Sequence, residues 1–86
     1  MLDPETIESY FNEVYDRKNI SVEVVFNNVD ISPKETHTIF TYDFTLLYYD
    51  IYERTNVEVH INEVKDKINS LELKEPCDII VSITVG

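Results

Sequence analysis

Apolar residues recur along residues 3–18 at Ile7, Tyr10, Phe11, Val14 and Tyr15, the i, i+3, i+4, i+7, i+8 spacing of one buried helical stripe. Asp3 has the chemistry of an N-cap, and Pro4 suits the first helical position. Glu5 at one end and Arg17 and Lys18 at the other complement the helix dipole. The pattern predicts a helix over 3–18. Glu5, Glu8, Glu13 and Asp16 are expected opposite the buried stripe.

The period then drops to two. Ile20, Val22, Val24 and Phe26 alternate with Ser21, Glu23 and Val25, which predicts a strand over 20–27. Asn27 to Glu35 reads as a polar connection containing Pro33, with Val29 and Ile31 tucking back. Residues 36–53 are strand-like throughout. As one straight strand they would span roughly 60 Å at about 3.3 Å per residue. A compact domain of this size has a radius of gyration of only roughly 12 Å. The segment must therefore bend, split or project. Its even positions, including Phe40, Tyr42, Phe44, Leu46, Tyr48 and Tyr52, make one rich face, and Leu47, Tyr49 and Ile51 make the odd face apolar as well. A strand apolar on both faces needs cover on both.

Thr55 and Glu58 have capping-box spacing ahead of Val57, Ile61, Val64, Ile68 and Leu71, so a second helix is expected over 56–71. Residues 78–85 form a β-branched run whose continuous apolar character suggests a central strand. The order is α-β-β-α-β. The expectation is a single α+β domain over 1–86, with an antiparallel or mixed sheet and both helices on one face.

The chain has 86 residues, enough for one domain with a marginal core. Seventeen acids against seven bases give a net charge of −10. That charge repels phosphate backbones, so direct contact with nucleic acid or an anionic membrane is not expected, and a basic protein partner is. No run of about 18 apolar residues offers a membrane span. The opening Asp3-Pro4-Glu5 lacks the basic and apolar stretches of a signal peptide, so a cytoplasmic location is expected.

Few residues are suited to catalysis. Gly86 is the only glycine, which removes glycine-dependent phosphate loops and nucleophile elbows. Turns needing positive φ would fall to Asn19, Asn27, Asn28 and Asn69. Cys77 is the only cysteine, so no internal disulfide and no cysteine-based zinc site can form. His37 and His60 lack metal-ligand spacing and read as structural or surface residues. A triad of Cys77, a histidine and Asp78 is formally available, but a small thiol at a strand entrance is more commonly packing. Asp43 and Asp50 read as outward acids that discourage edge pairing. A non-enzymatic protein without cofactor or metal is expected.

Two surfaces remain as candidates. Glu5, Glu8, Glu13 and Asp16 would present carboxylates along roughly 16 Å of helix axis. A row of that kind suits a site built for phosphates, and it marks the leading partner-binding candidate. Tyr42, Tyr48, Tyr49 and Tyr52 are the candidate oligomer interface, through which a homodimer would cover the second apolar face. Short length, scarce glycine, the abundance of Asn, Ile, Lys, Glu and Asp, and the lack of catalytic motifs resemble accessory proteins of bacteriophages. In style the chain is similar to phage inhibitors of restriction or CRISPR systems. That resemblance implies an inhibitor or DNA mimic seated in the basic site of a nucleic-acid-acting protein, working in the host cytoplasm. The element order is also loosely similar to phage tail-completion proteins, which would make the chain an assembly subunit using its aromatic strand. An antitoxin-like adaptor is the third expectation.

Overall fold

The computed structural model describes residues 1–86. The first helix, α1, spans Pro4–Lys18. Asp3 caps it by accepting from the Glu5 amide at 3.0 Å. Asn19 ends it in the left-handed region at φ 58°, with its amide donating to the Asp16 and Tyr15 carbonyls. Asn19 is the only positive-φ residue, so Asn27, Asn28 and Asn69 do not serve that purpose.

Strand β1, Val22–Pro33, pairs antiparallel with β2, Thr38–Tyr48. The expected polar connection over Asn27–Glu35 is corrected here, since most of it is strand. A bulge between Phe26 and Asn28 inserts one residue into β1. That residue reverses the alternation. Val29 and Ile31 thereby return to the same side as Val24, opposite Tyr42 and Phe40. The Asn27 side chain fixes the bulge by donating to Thr45 Oγ1 at 2.8 Å. Residues 34–37 then close the hairpin, with the Lys34 amide donating to the His37 carbonyl at 2.8 Å.

The long segment 36–53 resolves by turning. It leaves the sheet after Tyr48, and Asp50 Oδ1 accepts from the Tyr52 amide at 2.9 Å. A 3-10 turn at Glu53–Asn56 leads into α2, Val57–Asn69. The Thr55–Glu58 capping box does not form. Thr55 lies inside the 3-10 turn and donates its hydroxyl to the Tyr52 carbonyl at 2.7 Å. An N-cap needs an extended backbone, which that position lacks.

Strand β3, Cys77–Val85, runs parallel to β2, and the sheet order is β1-β2-β3. The expected central place for β3 is therefore corrected. The hairpin puts β1 on one side of β2, and the crossover through α2 delivers β3 to the other. β3 is an edge strand, and its Ile80 is 48% exposed. The fold is a small α+β domain with a mixed three-stranded sheet and both helices over one face.

The core lies between that face and the helices. Ile7, Phe11, Val14 and Tyr15 of α1 and Val64 and Ile68 of α2 meet Tyr42, Phe44, Leu46 and Tyr48 of β2. Phe11 and Phe44 pack at 5.8 Å between ring centroids. Tyr15 meets Tyr48 edge-on at 5.7 Å. The polar atoms in this layer are paired: the Tyr15 and Tyr48 hydroxyls are 2.7 Å apart, and the Tyr48 hydroxyl lies 2.8 Å from His60 Nδ1. No buried side-chain nitrogen or oxygen lacks a partner.

Candidate functional site

In β2 the even residues Tyr42, Phe44, Leu46 and Tyr48 are buried beneath the helices, so its odd residues face the other way. Register extends that open face across all three strands. Successive rows read Ser32–Ile39–Asp78, Asp30–Thr41–Ile80, Asn28–Asp43–Ser82 and Val25–Thr45–Thr84, with Glu23 beside Leu47 at the end. All four strand carboxylates, Glu23, Asp30, Asp43 and Asp78, lie on this face. No strand carries a lysine or arginine. The seven bases sit in the helices and connections: Arg17, Lys18, Lys34, Arg54, Lys65, Lys67 and Lys74. The face also receives a contact from His37, whose Nε2 is 3.0 Å from Asp78 Oδ2.

The carboxylates are spread. No row holds two of them, and rows recur about every 7 Å along the strands. That is about twice the 3.4 Å spacing of charges along one strand of B-DNA. Between them stand the hydroxyls of Thr41, Thr45, Ser82 and Thr84 and the apolar side chains of Val25, Ile39, Leu47 and Ile80. The surface is hydroxyl-rich, negative and partly apolar.

The expected acidic row on α1 is divided. Glu5 and Asp16 are exposed, as a solvated helix face requires. Glu13 instead turns toward α2 and is ion-paired with Lys67, while Glu8 is half-buried. The two are five residues apart, about 140° around a helix, so they lie on opposite flanks of the axis. Lys67 also lies 4.8 Å from the Tyr10 ring centroid. Arg17 and Lys18 both reach Glu63. Burial raises the Glu63 carboxyl, but hydrogen bonds and charge from Lys18 and Arg17 outweigh it and hold the group below its ordinary value. Three of the seven bases are thus committed to joining the helices.

The tyrosine interface also needs correction. Tyr42 is fully buried and donates its hydroxyl to the Leu2 carbonyl at 2.6 Å. Tyr48 is buried between Tyr15 and His60. Both occupy even positions of the central strand, so neither is available to a partner. Tyr49 and Tyr52 lie beyond the sheet, where the chain turns toward α2, and are 72% and 79% exposed. Ile51 between them is exposed as well.

Of the structural and surface readings offered for His60, the structural one holds, since the residue is buried at 2% exposure. Desolvation lowers its pKa, helped by the nearby Lys18 charge and opposed by Glu53 and Glu63. Desolvation likewise pushes the Tyr15, Tyr42 and Tyr48 hydroxyls up. Asp43 stands on the open face, and Asp50 holds the turn after β2. No three His, Cys, Asp or Glu side chains are grouped to hold a metal ion. No helix is long and apolar enough to cross a membrane.

The open face was missed in the sequence, although a signal was present. Residues 19–33, 35–53 and 75–86 contain no lysine or arginine, and these stretches contain the strands. Comparison of the chain with family models, curated proteins and solved structures found no match.

Proposed function

We propose that this chain is a non-enzymatic acidic binding protein that occupies the basic site of a nucleic-acid-acting protein. It serves as an inhibitor or DNA mimic of the type phages direct at restriction or CRISPR-type defence, in the cytoplasm of the host cell. The observation that carries this reading is the open sheet face, with four dispersed carboxylates and no lysine or arginine on any strand. A sheet face of this kind attracts a basic surface over long range and meets it with hydroxyl donors and acceptors at contact. The exposed Glu5 and Asp16 of α1 add to the attraction from the other side of the molecule.

Competition tests this reading. The chain is added to restriction endonucleases or CRISPR effectors holding a fluorescent DNA duplex, and the release of DNA is followed by polarisation. The expected result is displacement that weakens as salt rises. It is lost when Glu23, Asp30, Asp43 and Asp78 become their amides, and kept when Glu5 and Asp16 do. Displacement indifferent to the four open-face substitutions would overturn the choice of surface. Failure to displace DNA from any such protein would overturn the mimic.

A second reading rests on the exposed Tyr49, Ile51 and Tyr52. Tyrosine is enriched at binding hot spots. This corner favours an assembly subunit or an antitoxin-like adaptor that docks by aromatic contact. Tyr49→Ala with Tyr52→Ala would then abolish partner binding while the open-face amides would not.

A further inference from the structure

The two outer edges of the sheet differ in how they are guarded. β1 carries a bulge at Asn27 and ends at Pro33, both devices that discourage strand addition. β3 has neither. Its nine residues hold no bulge, proline or lysine, and most are β-branched. Backbone direction at this edge follows from the hydrogen bonds at its ends. The Thr38 amide donates to the Pro76 carbonyl at 3.3 Å, and the Gly86 amide donates to the Leu46 carbonyl at 3.0 Å. Even-numbered residues along β3 therefore turn their N–H and C=O groups toward β2. Cys77, Ile79, Val81, Ile83 and Val85 turn theirs outward. A groove lined by Lys65, Ile68, Asn69 and Ile79 to Val81 leaves this edge open on the helix side.

We infer that the outer edge of β3 pairs with β3 of a second copy of this chain, antiparallel about Val81, to make one continuous six-stranded sheet. The β3 sequence is complementary to itself in that register. Val81 meets the partner's Val81, and Ile79 meets the partner's Ile83. These are outward-facing residues, so each pair exchanges both N–H to C=O bonds. On the open face, Ile80 meets the partner's Ser82. Asp78 meets the partner's Thr84, whose hydroxyl donates to the carboxylate. No carboxylate stands opposite another, although each copy carries a net charge of −10. A twofold axis through Val81 closes the assembly, leaving only the guarded β1 edges outside. The two open faces join into one acidic surface.

Backbone amide exchange in the unmodified chain, read with sedimentation, tests the pairing without any target present. In a lone chain the amides of Asp78, Ile80, Ser82 and Thr84 are protected by β2, while those of Ile79, Val81 and Ile83 exchange freely. The expected result is protection of Ile79, Val81 and Ile83 that grows with concentration, together with a species of twice the 10.1 kDa chain mass. Added salt should strengthen this association, because it screens two like charges. Docking on a basic target weakens with salt, so the two readings can fail separately. Ile83→Pro removes an outward amide and leaves the β2 pairing intact; it should give a folded monomer. A chain that stays monomeric up to about 1 mM, or a dimer in which Ile79, Val81 and Ile83 still exchange freely, would overturn the inference. So would a dimer that survives folded Ile83→Pro. If that variant unfolds, the exchange pattern of the unmodified chain decides.

Discussion

The two faces of β2 are built from adjacent residues and do opposite work. Phe44 is fully buried against Phe11, and Thr45 beside it stands on the open face. The covered face is aromatic, and its polar atoms are all paired. The open face mixes carboxylates, hydroxyls and a few apolar side chains, with no helix over it. A small domain has material for one core, and here it is spent on one side of the sheet. The other side is left with side chains that no helix covers, and in the proposed function these are the ones that meet the partner.

The largest expected effect lies in the core. Phe44→Ala should cost about 3–5 kcal/mol, a large share of the roughly 5–15 kcal/mol total of a small domain. Urea titration should find it largely unfolded or close to it. Thr41→Ala, on the open face of the same strand and without a side-chain hydrogen bond, should cost no more than about 1 kcal/mol, and a loss as large as that of Phe44→Ala would erase the distinction between the faces.

Tyr48→Phe comes next. It removes the hydroxyl between Tyr15 and His60 and should cost about 1–3 kcal/mol, measured by the urea midpoint. Tyr49→Phe, one residue beyond and exposed, should be silent. A pH effect of similar origin follows from His60. Its folded pKa lies below the ordinary value of 6.5, so the unfolded chain takes up the proton more readily. Stability should be complete above about pH 6.5 and fall as the pH drops below it. The tyrosines act in the other direction. With Tyr15, Tyr42 and Tyr48 raised in the fold, stability should be lost as the pH climbs above about 10. Thermal melts across this range should show a plateau between the two limits, and a His60→Gln chain should lose part of the acid slope.

The smallest effect on stability is expected at the open face. Asp43→Asn removes one negative charge from a strongly acidic chain and should leave the urea midpoint unchanged or slightly raised. A marked loss would mean that Asp43 supports the fold.

The helical part of this fold was legible because its signals are local. The stripe from Ile7 to Tyr15, the Asp3 cap and the Asn19 stop all lie within one helix. The sheet was less legible where one residue changes phase. The Asn27 bulge made a strand resemble a polar connection, and the turn at Asp50 hid where β2 stops. Strand order depends on the crossover and not on composition, so the apolar β3 gave the wrong impression of a centre. The candidate site was hidden for a similar reason. Glu23, Asp30, Asp43 and Asp78 are far apart in sequence, and only register brings them onto one face. Tyr42 and Tyr48 resemble surface-seeking tyrosines until the even positions of β2 are seen beneath the helices.

The most direct test of the open face as the partner-binding surface joins stability and binding in one variant. Glu23, Asp30, Asp43 and Asp78 are replaced together by Gln, Asn, Asn and Asn, and the urea midpoint and DNA displacement are measured side by side. The expected result is a midpoint equal to or above the parent's with displacement reduced at least about tenfold, which corresponds to about 1.4 kcal/mol. Unchanged displacement, or a variant that no longer folds, would contradict the assignment.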